Sequence, residues 1–329
     1  NEAYLKACYM RLGRDRACGV DNVTWQEYGG SLDANLESLV GRLKGRSYRP
    51  LPARRVYIPK NEYTMRPLGL PALEDKIVQK GIAGILEAIY EADFLECSYG
   101  FRPGRGCHQA INAVDKTIMT KPINHVIEAD IKGCFDNISH DWLMKFLELR
   151  IKDSSLLTII RRILKAGYLE ADMKVETEQG TPQGGNLSPL LCNVFLHYVL
   201  DLWFEKKIKP QVNGDAYLVR YADDFVCMVR TVGAAREIEV LLKERFAEFD
   251  LELHPEKTRV LSFGRYELEN ARKQKRQPNT FDFLGFTHYC NTSRKGKFMI
   301  NRTTSRKKFR QKSKDMNAWL KAVRNIAPA

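Results

Sequence analysis

An α+β fold is predicted for this chain of 329 residues by three observations. Apolar residues recur at helical spacing in some windows, and alternate or run together as strands do in others. The two kinds of segment follow one another in mixed order, neither a regular βαβ repeat nor all-β. A hydrophobic content of 44% also supports a substantial core, in one large or two to three smaller subdomains.

Taken in order, Arg54-Arg55-Val56-Tyr57-Ile58-Pro59 alternates like a strand, and Asn61–Met65 should turn the chain back towards Arg66. A basic hairpin is expected there. Residues 72–92 set Leu73, Ile77, Ile82, Ile85, Leu86 and Ile89 at helical spacing. His125–Ile131 reads as a buried strand, and Ser139 as the N-cap of a helix carrying Trp142, Leu143, Phe146 and Leu147. Another helix is expected over 154–166. The glycine-rich stretch Gly180–Asn186 must be a loop, and Ser188-Pro189 is an N-cap followed by proline at the first helical position. Leu191, Val194, Phe195, Tyr198, Val199 and Leu202 give that helix its apolar face. The apolar runs Ala216–Val219 and Phe225–Val229 flank Tyr221-Ala222-Asp223-Asp224 and read as a hairpin with acids at its tip. Ala235, Ile238, Leu241, Leu242, Phe246 and Phe249 mark a further helix, followed by strands over 258–263 and 281–286. Trp319 and Leu320 suggest a last helix that begins near Thr304 and whose continuation is missing from this chain.

Composition excludes several classes of function. No run approaches the roughly 18 to 20 apolar residues that span a bilayer, and the N-terminus lacks a signal-peptide layout, so a cytosolic protein is expected. The eight cysteines (Cys8, Cys18, Cys97, Cys107, Cys134, Cys192, Cys227 and Cys290) include no C-x-x-C pair. None has a histidine at zinc-ligand spacing, which predicts reduced thiols packed as small apolar groups. The net charge is +13, and its distribution is uneven. Residues 1–263 balance 36 basic against 36 acidic side chains, whereas residues 264–329 hold 17 basic and 4 acidic. Runs such as Arg272-Lys273-Gln-Lys275-Arg276 and Arg306–Lys314 suit a polyanion-binding surface, because each neutralised phosphate releases condensed counterions. A solvated surface or tail is the alternative, and Phe309 and Trp319 favour an ordered element.

The acids carry the chemistry. Adjacent carboxylates repel, so the Asp223-Asp224 pair between apolar strands is either an exposed turn or part of a site for a divalent metal. Asp130 supplies a third acid where an apolar strand gives way to a turn. Two magnesium ions, roughly 3.5–4 Å apart, need oxygen ligands from more than one chain segment, completed by phosphate and water. Asp130, Asp223 and Asp224 with the Ile131 carbonyl would meet that need. None of the six histidines has triad or zinc spacing.

These motifs together resemble a reverse transcriptase, most closely the group II intron-encoded reverse transcriptases, or maturases. Gly19-Val20-Asp21 and Tyr48-Arg-Pro50 resemble the family's N-terminal extension, and Ala53–Lys60 with Arg66–Gly69 its first fingers block. Ser98–Arg105, Asp130–Asn137, Gly180–Pro189, Tyr221–Asp224, Leu253–Thr258 and Phe281–Gly285 resemble the later blocks in the family's order. The resemblance implies a right-hand polymerase fold of fingers and palm, with an antiparallel palm sheet flanked by helices. Residues 1–97 would form the N-terminal extension and fingers, 98–295 the palm, with part of 143–182 on the fingers side, and 296–329 the start of a truncated basic thumb. It also implies nucleotidyl transfer to a primer 3′ hydroxyl with two Mg2+ ions, Mn2+ being a substitute. Asp130, Asp223 and Asp224 would be catalytic, and Ile131 would join them as a metal ligand. Lys60, Arg66, Phe135 and Gln183 would bind the nucleotide, Phe135 as a steric gate that rejects a ribose 2′ hydroxyl. Arg102 and Arg105 would hold template phosphates, and Lys257 would approach the primer or the catalytic acids. The chain departs from the family between Lys60 and Arg66, where Asn61–Met65 stands in place of paired glycines.

The expected partners are intron RNA, an RNA template with a DNA or RNA primer, and deoxynucleoside triphosphates, with no membrane; a homodimer is a further expectation. The expected setting is the bacterial cytoplasm, and the function RNA-directed DNA synthesis combined with assistance to splicing and retrohoming. Two rival readings are an RNA-binding splicing cofactor and a domesticated enzyme of phage defence or CRISPR spacer acquisition. The intact acid set argues for polymerisation over binding alone.

Overall fold

The computed structural model describes residues 1–59, 64–170, 173–181, 184–212 and 215–324. Its helices are α1 (Glu2–Met10), α2 (Trp25–Gly29), α3 (Leu32–Lys44), α4 (Leu73–Tyr90), α5 (Cys107–Thr120), α6 (Cys134–Asn137) and α7 (His140–Arg150). They continue with α8 (Ser154–Lys165), α9 (Ser188–Leu196), α10 (Lys209–Gln211), α11 (Val232–Ala247), α12 (Glu267–Lys273) and α13 (Arg306–Val323). The strands are β1 (Ala53–Pro59), β2 (Met65–Leu70), β3 (His125–Asp130), β4 (Tyr168–Glu170), β5 (Met173–Val175) and β6 (Ala216–Tyr221). Then come β7 (Asp224–Val229), β8 (Arg259–Ser262), β9 (Thr280–Phe283), β10 (Phe286–Thr292) and β11 (Phe298–Thr304). The chain divides into two units, one of Asn1–Glu96, Lys132–Leu202 and Arg245–Glu252, the other of Cys97–Ile131, Trp203–Glu244 and Leu253–Ala329.

In the first unit the basic hairpin forms as expected: β1 and β2 are antiparallel with Pro59 opposite Met65. β1 takes β4 as a parallel neighbour, which gives the sheet order β2-β1-β4-β5. The face of α4 carrying Leu73, Ile77, Ile82 and Leu86 is buried, and the helix packs on α1 and α9. Trp142, Phe146, Phe195, Tyr198 and Phe249 form an aromatic cluster, with Phe146 stacked on Tyr198 at 4.9 Å between centroids. Such rings contribute both buried area and a preferred geometry.

The helix starts correct the sequence reading in detail. Ser139 stands at the N-cap of α7 without a side-chain cap bond, and its backbone instead bridges Gln179. Ser188 is the first residue of α9, with Leu187 at the cap and Pro189 in the first turn. Asp153 caps α8 as a short acceptor should, taking the Ser155 and Leu156 N–H groups at 2.8 and 3.2 Å. After Leu196 the helix widens into a π turn, His197–Asp201. The carbonyls of Tyr198 and Val199 there accept from the Arg245 guanidinium at 3.3 and 3.0 Å.

The second unit holds a four-stranded antiparallel sheet, β6-β7-β3-β8, and a three-stranded one, β11-β10-β9. Helix α5 buries Ala110, Ile111, Val114 and Ile118 and packs on β6, β7 and β11. These residues join Val126, Val219, Val226, Phe263 and Phe281 in one core. The expected strand over 281–286 is two strands. Leu284 (φ 50°) and Gly285 (φ 84°) form a two-residue loop, and Phe283 pairs with Phe286 across it. A two-residue hairpin loop of type I′ needs positive φ at both positions; glycine adopts it freely and leucine at a cost. Helix α13 starts at Arg306 because residues up to Thr304 belong to β11. Among the described residues no helix is long and apolar enough to cross a membrane.

Candidate active site

The acidic hairpin is built from β6 and β7, joined by Ala222 and Asp223 with Tyr221 opposite Asp224. Ala222 takes φ 56°, the left-handed conformation that closes such a turn and that an alanine enters only under strain. On the other side of β7 lies β3, in register so that Asp130 stands opposite Asp224. Pairing of the two apolar strands therefore fixes which acids share the sheet end. Asp224 is exposed as a residue, yet neighbouring atoms strip part of the water from its carboxyl. The charges of Asp223 and Asp130 act in the same direction, and its pKa is pushed up to about 6 despite the opposing charge of Lys257.

Lys257 reaches this group from the turn after Leu253. His254 N–H donates to the Asp130 carbonyl at 2.8 Å, and Lys257 and Thr258 N–H both return to the His254 carbonyl. That turn delivers the Lys257 ammonium to the Asp130 carboxylate as an ion pair. Ile131 is buried, and its backbone bridges Leu253.

Arg220 was not foreseen as a site residue. It is fully buried on β6, donating to the Ala222 carbonyl at 2.9 Å and to the Ser98 hydroxyl at 2.8 Å. Its backbone bonds Cys97 O and Tyr99 N, so residues 97–99 run beside the acidic turn. The approach is close enough that a Cβ on Gly100 would lie 2.4 Å from the Ala222 nitrogen. The signal available in the sequence was an arginine interrupting an apolar strand directly before the acids. Arg102 is also buried and donates to the Ser98 carbonyl at 2.9 Å. Arg105 is half-buried with its guanidinium 5.4 Å from the centre of the Tyr99 ring.

The remaining predicted residues belong to the first unit. Arg66 is exposed on β2 opposite Ile58. Phe135 is half-buried in the single turn of α6, outside the buried core. Its carbonyl accepts the Thr181 N–H at 2.7 Å. Lys60 and Gln183 lie outside the described residues. The loop that contains Gln183 is pinned at its far end to α4, where Asn186 N–H donates to Gln79 Oε1 at 3.2 Å and Asn186 Nδ2 to the Lys76 carbonyl at 3.3 Å.

The acids offer hard oxygen donors of the kind magnesium prefers, and mutual repulsion at Asp224 is what a divalent cation would relieve. Among the described residues no three His, Cys, Asp or Glu side chains stand close enough to cage a metal by themselves. Magnesium keeps water and is usually held by one or two carboxylates together with substrate phosphates.

Residues 58–288 match the family described as reverse transcriptase (RNA-dependent DNA polymerase). Over 202 residues, 61% of this chain, there is 40% identity to the group II intron-encoded protein LtrA of Lactococcus lactis subsp. cremoris. The chain spans a third (33%) of that relative's length. Protein YkfC of Escherichia coli (strain K12) is 31% identical across 93% of this chain and 84% of its own. Apo telomerase from Candida tropicalis, truncated from the C-terminal domain, has a TM-score of 0.55 at 12% identity, over 86% of this chain and 60% of that one. The likeness establishes the α+β fingers-and-palm polymerase fold. With its acids on an antiparallel sheet and the family's sequence running through most of its length, the chain belongs to the reverse transcriptases, in the group II intron-encoded branch.

Proposed function

We propose that this chain copies RNA into DNA, adding deoxynucleotides to a primer 3′ hydroxyl. The observation that carries the reading is the register of β3 against β7, which sets Asp130 opposite Asp224 at the acidic hairpin of a reverse transcriptase. Asp130, Asp223 and Asp224, with the Ile131 carbonyl, would hold two Mg2+ ions, or Mn2+ in their place. Bound there, the cations would lower the pKa of the attacking hydroxyl and neutralise charge on the triphosphate.

The chain's own residues do the rest. The carboxylates give a fixed anionic end to the sheet, and Arg220 and the 97–99 segment keep their turn from moving. Lys257 neutralises Asp130 and stands ready for a phosphate of primer or nucleotide. Arg66 and Lys60 are assigned to the triphosphate, where a planar fork and a point charge suit phosphate oxygens. Gln183 is assigned to the nucleotide and Phe135 to exclusion of a 2′ hydroxyl. Of the two arginines after Ser98, Arg105 is the better placed for template phosphates, while the buried Arg102 braces its own loop.

The RNA is proposed to be a group II intron, with a splicing role alongside copying. The names of the relatives and the 17 basic side chains in residues 264–329 support that reading. Residues 1–97 are assigned to the N-terminal extension and fingers, 98–295 to the palm, with part of 143–182 on the fingers side, and 296–329 to the start of the thumb. The eight cysteines are not joined in disulfides, which fits the bacterial cytoplasm proposed for this chain.

Primer extension on an RNA template with Mg2+ and deoxynucleotides tests the assignment. Asp223→Ala should lower incorporation by on the order of 10³-fold or more, as expected when a metal-ligating acid is lost. Equal incorporation by the variant and the parent chain would overturn it.

A further inference from the structure

Phe135 occupies α6, a helix of four residues, Cys134–Asn137. One turn does not hold its own shape, because helix nucleation is unfavourable until several bonds have formed. Its support comes from a distant segment, Gln179–Thr181, laid alongside Phe135–Ser139. Thr181 N–H donates to the Phe135 carbonyl at 2.7 Å, Gly180 N–H to the Ile138 carbonyl at 2.8 Å, and Ser139 bridges Gln179. Gly180 has φ 84°, and a Cβ there would lie 2.6 Å from the Asp136 carbonyl oxygen, so only glycine permits the approach.

A buried side chain also holds this segment. His140, the first residue of α7 and 5% exposed, places Nε2 at 2.6 Å from the Gly180 carbonyl. A carbonyl only accepts, so Nε2 carries the proton and donates. Burial lowers the His140 pKa, which favours the neutral ring with that hydrogen on Nε2.

We propose that His140 is a positioning residue for sugar selection: through the Gly180 carbonyl it holds the Gln179–Thr181 segment against Phe135 and so sets how strictly ribonucleotides are excluded. The inference rests on the reading of Phe135 as the gate. A half-buried ring has few core contacts to fix it, so its backbone must. The group to be excluded is one hydroxyl, so a small displacement of the ring is enough to admit it. With His140 gone, the buried Gly180 carbonyl loses its partner and the segment relaxes.

The test compares ATP with dATP on an RNA template–primer, as the ratio of kcat/KM for single-nucleotide addition. With a primer lacking its 3′ hydroxyl, the ratio of dissociation constants gives the same comparison without turnover. His140→Ala should shift either ratio towards ATP by about tenfold, the worth of one buried hydrogen bond. His140→Gln, whose amide nitrogen can replace Nε2, should restore it. Gly180→Ala, which pushes the segment off Asp136 without touching the histidine, should shift the ratio as His140→Ala does. Unchanged ratios in both His140→Ala and Gly180→Ala, while Phe135→Ala raises ATP use, would overturn the proposal and leave the gate standing. A Gln variant as permissive as Ala would also overturn it. No effect of Phe135→Ala would remove the gate reading, and the proposal with it.

Discussion

Asp75 shows how one buried carboxyl ties a sequence motif to the fold. It is 3% exposed on α4, accepting the Tyr48 hydroxyl at one oxygen and the Leu51 N–H at the other. This is why Tyr48-Arg49-Pro50 is a recognisable block: its tyrosine anchors the chain on its way into β1. Burial raises the Asp75 pKa from 3.8 to about 6, against the two hydrogen bonds, which lower it. A raised folded-state pKa means the stabilising form is the protonated one, fully present below about pH 4 and lost as pH rises through about 6. The stability of the parent chain relative to Asp75→Asn should therefore fall by up to about 3 kcal/mol between pH 4 and pH 7. Denaturant unfolding of both proteins at several pH values measures this, and a constant difference would place the Asp75 titration in its ordinary range. The pairing partner of Asp75 lies 27 residues away in sequence, so no local pattern announces it. The same holds for Arg220 and Ser98, which are 122 residues apart.

At the scale of elements, the acidic hairpin was legible because β-rich runs bracket Ala222 and Asp223 and the turn is only two residues long. The segment against it was not. Ser98–Arg105 stood out only as a family block, with no sign that Gly100 is the contact that brings backbone against backbone at the turn. Gly100→Ala would push a methyl group to within 2.4 Å of Ala222 N, and either the loop or the acids must move. Displacement of reacting groups by about 1 Å costs on the order of 10²-fold in rate, so incorporation should fall by that amount, together with some loss of melting temperature because the clash is with backbone. Wild-type incorporation by Gly100→Ala would show that the acids do not depend on this packing. Helix α5 and strands β10 and β11 were also absent from the sequence reading. The buried α5 positions Ala110, Ile111, Val114 and Ile118 do carry a helical period, whereas β10 and β11 place His288, Asn291 and Arg302 among their apolar residues and blur the alternation.

For the whole molecule, charge is the property that sequence reports most directly. Seven of the 17 basic side chains in residues 264–329 stand on α13, none of whose residues is buried. Lys307, Arg310 and Lys314 share one helical face there. If each meets one RNA phosphate, replacing all three by alanine should reduce the slope of log affinity against log salt by about 2, at roughly 0.7 per single-strand contact. Filter binding or fluorescence anisotropy across a salt series measures that slope, and an unchanged value would assign the RNA surface elsewhere. Order of blocks, acid identities and charge distribution are properties of the chain written in one dimension, and they determined the family, the fold class and the candidate catalytic acids. Only the tertiary structure decided that Asp130 lies opposite Asp224, that Lys257 pairs with Asp130, that Arg220 and Gly100 hold the acidic turn, and that His140 braces the segment beside Phe135. The reason is physical: register, burial and close backbone approach arise between segments distant in sequence, where local propensity carries no information about which partner will be met.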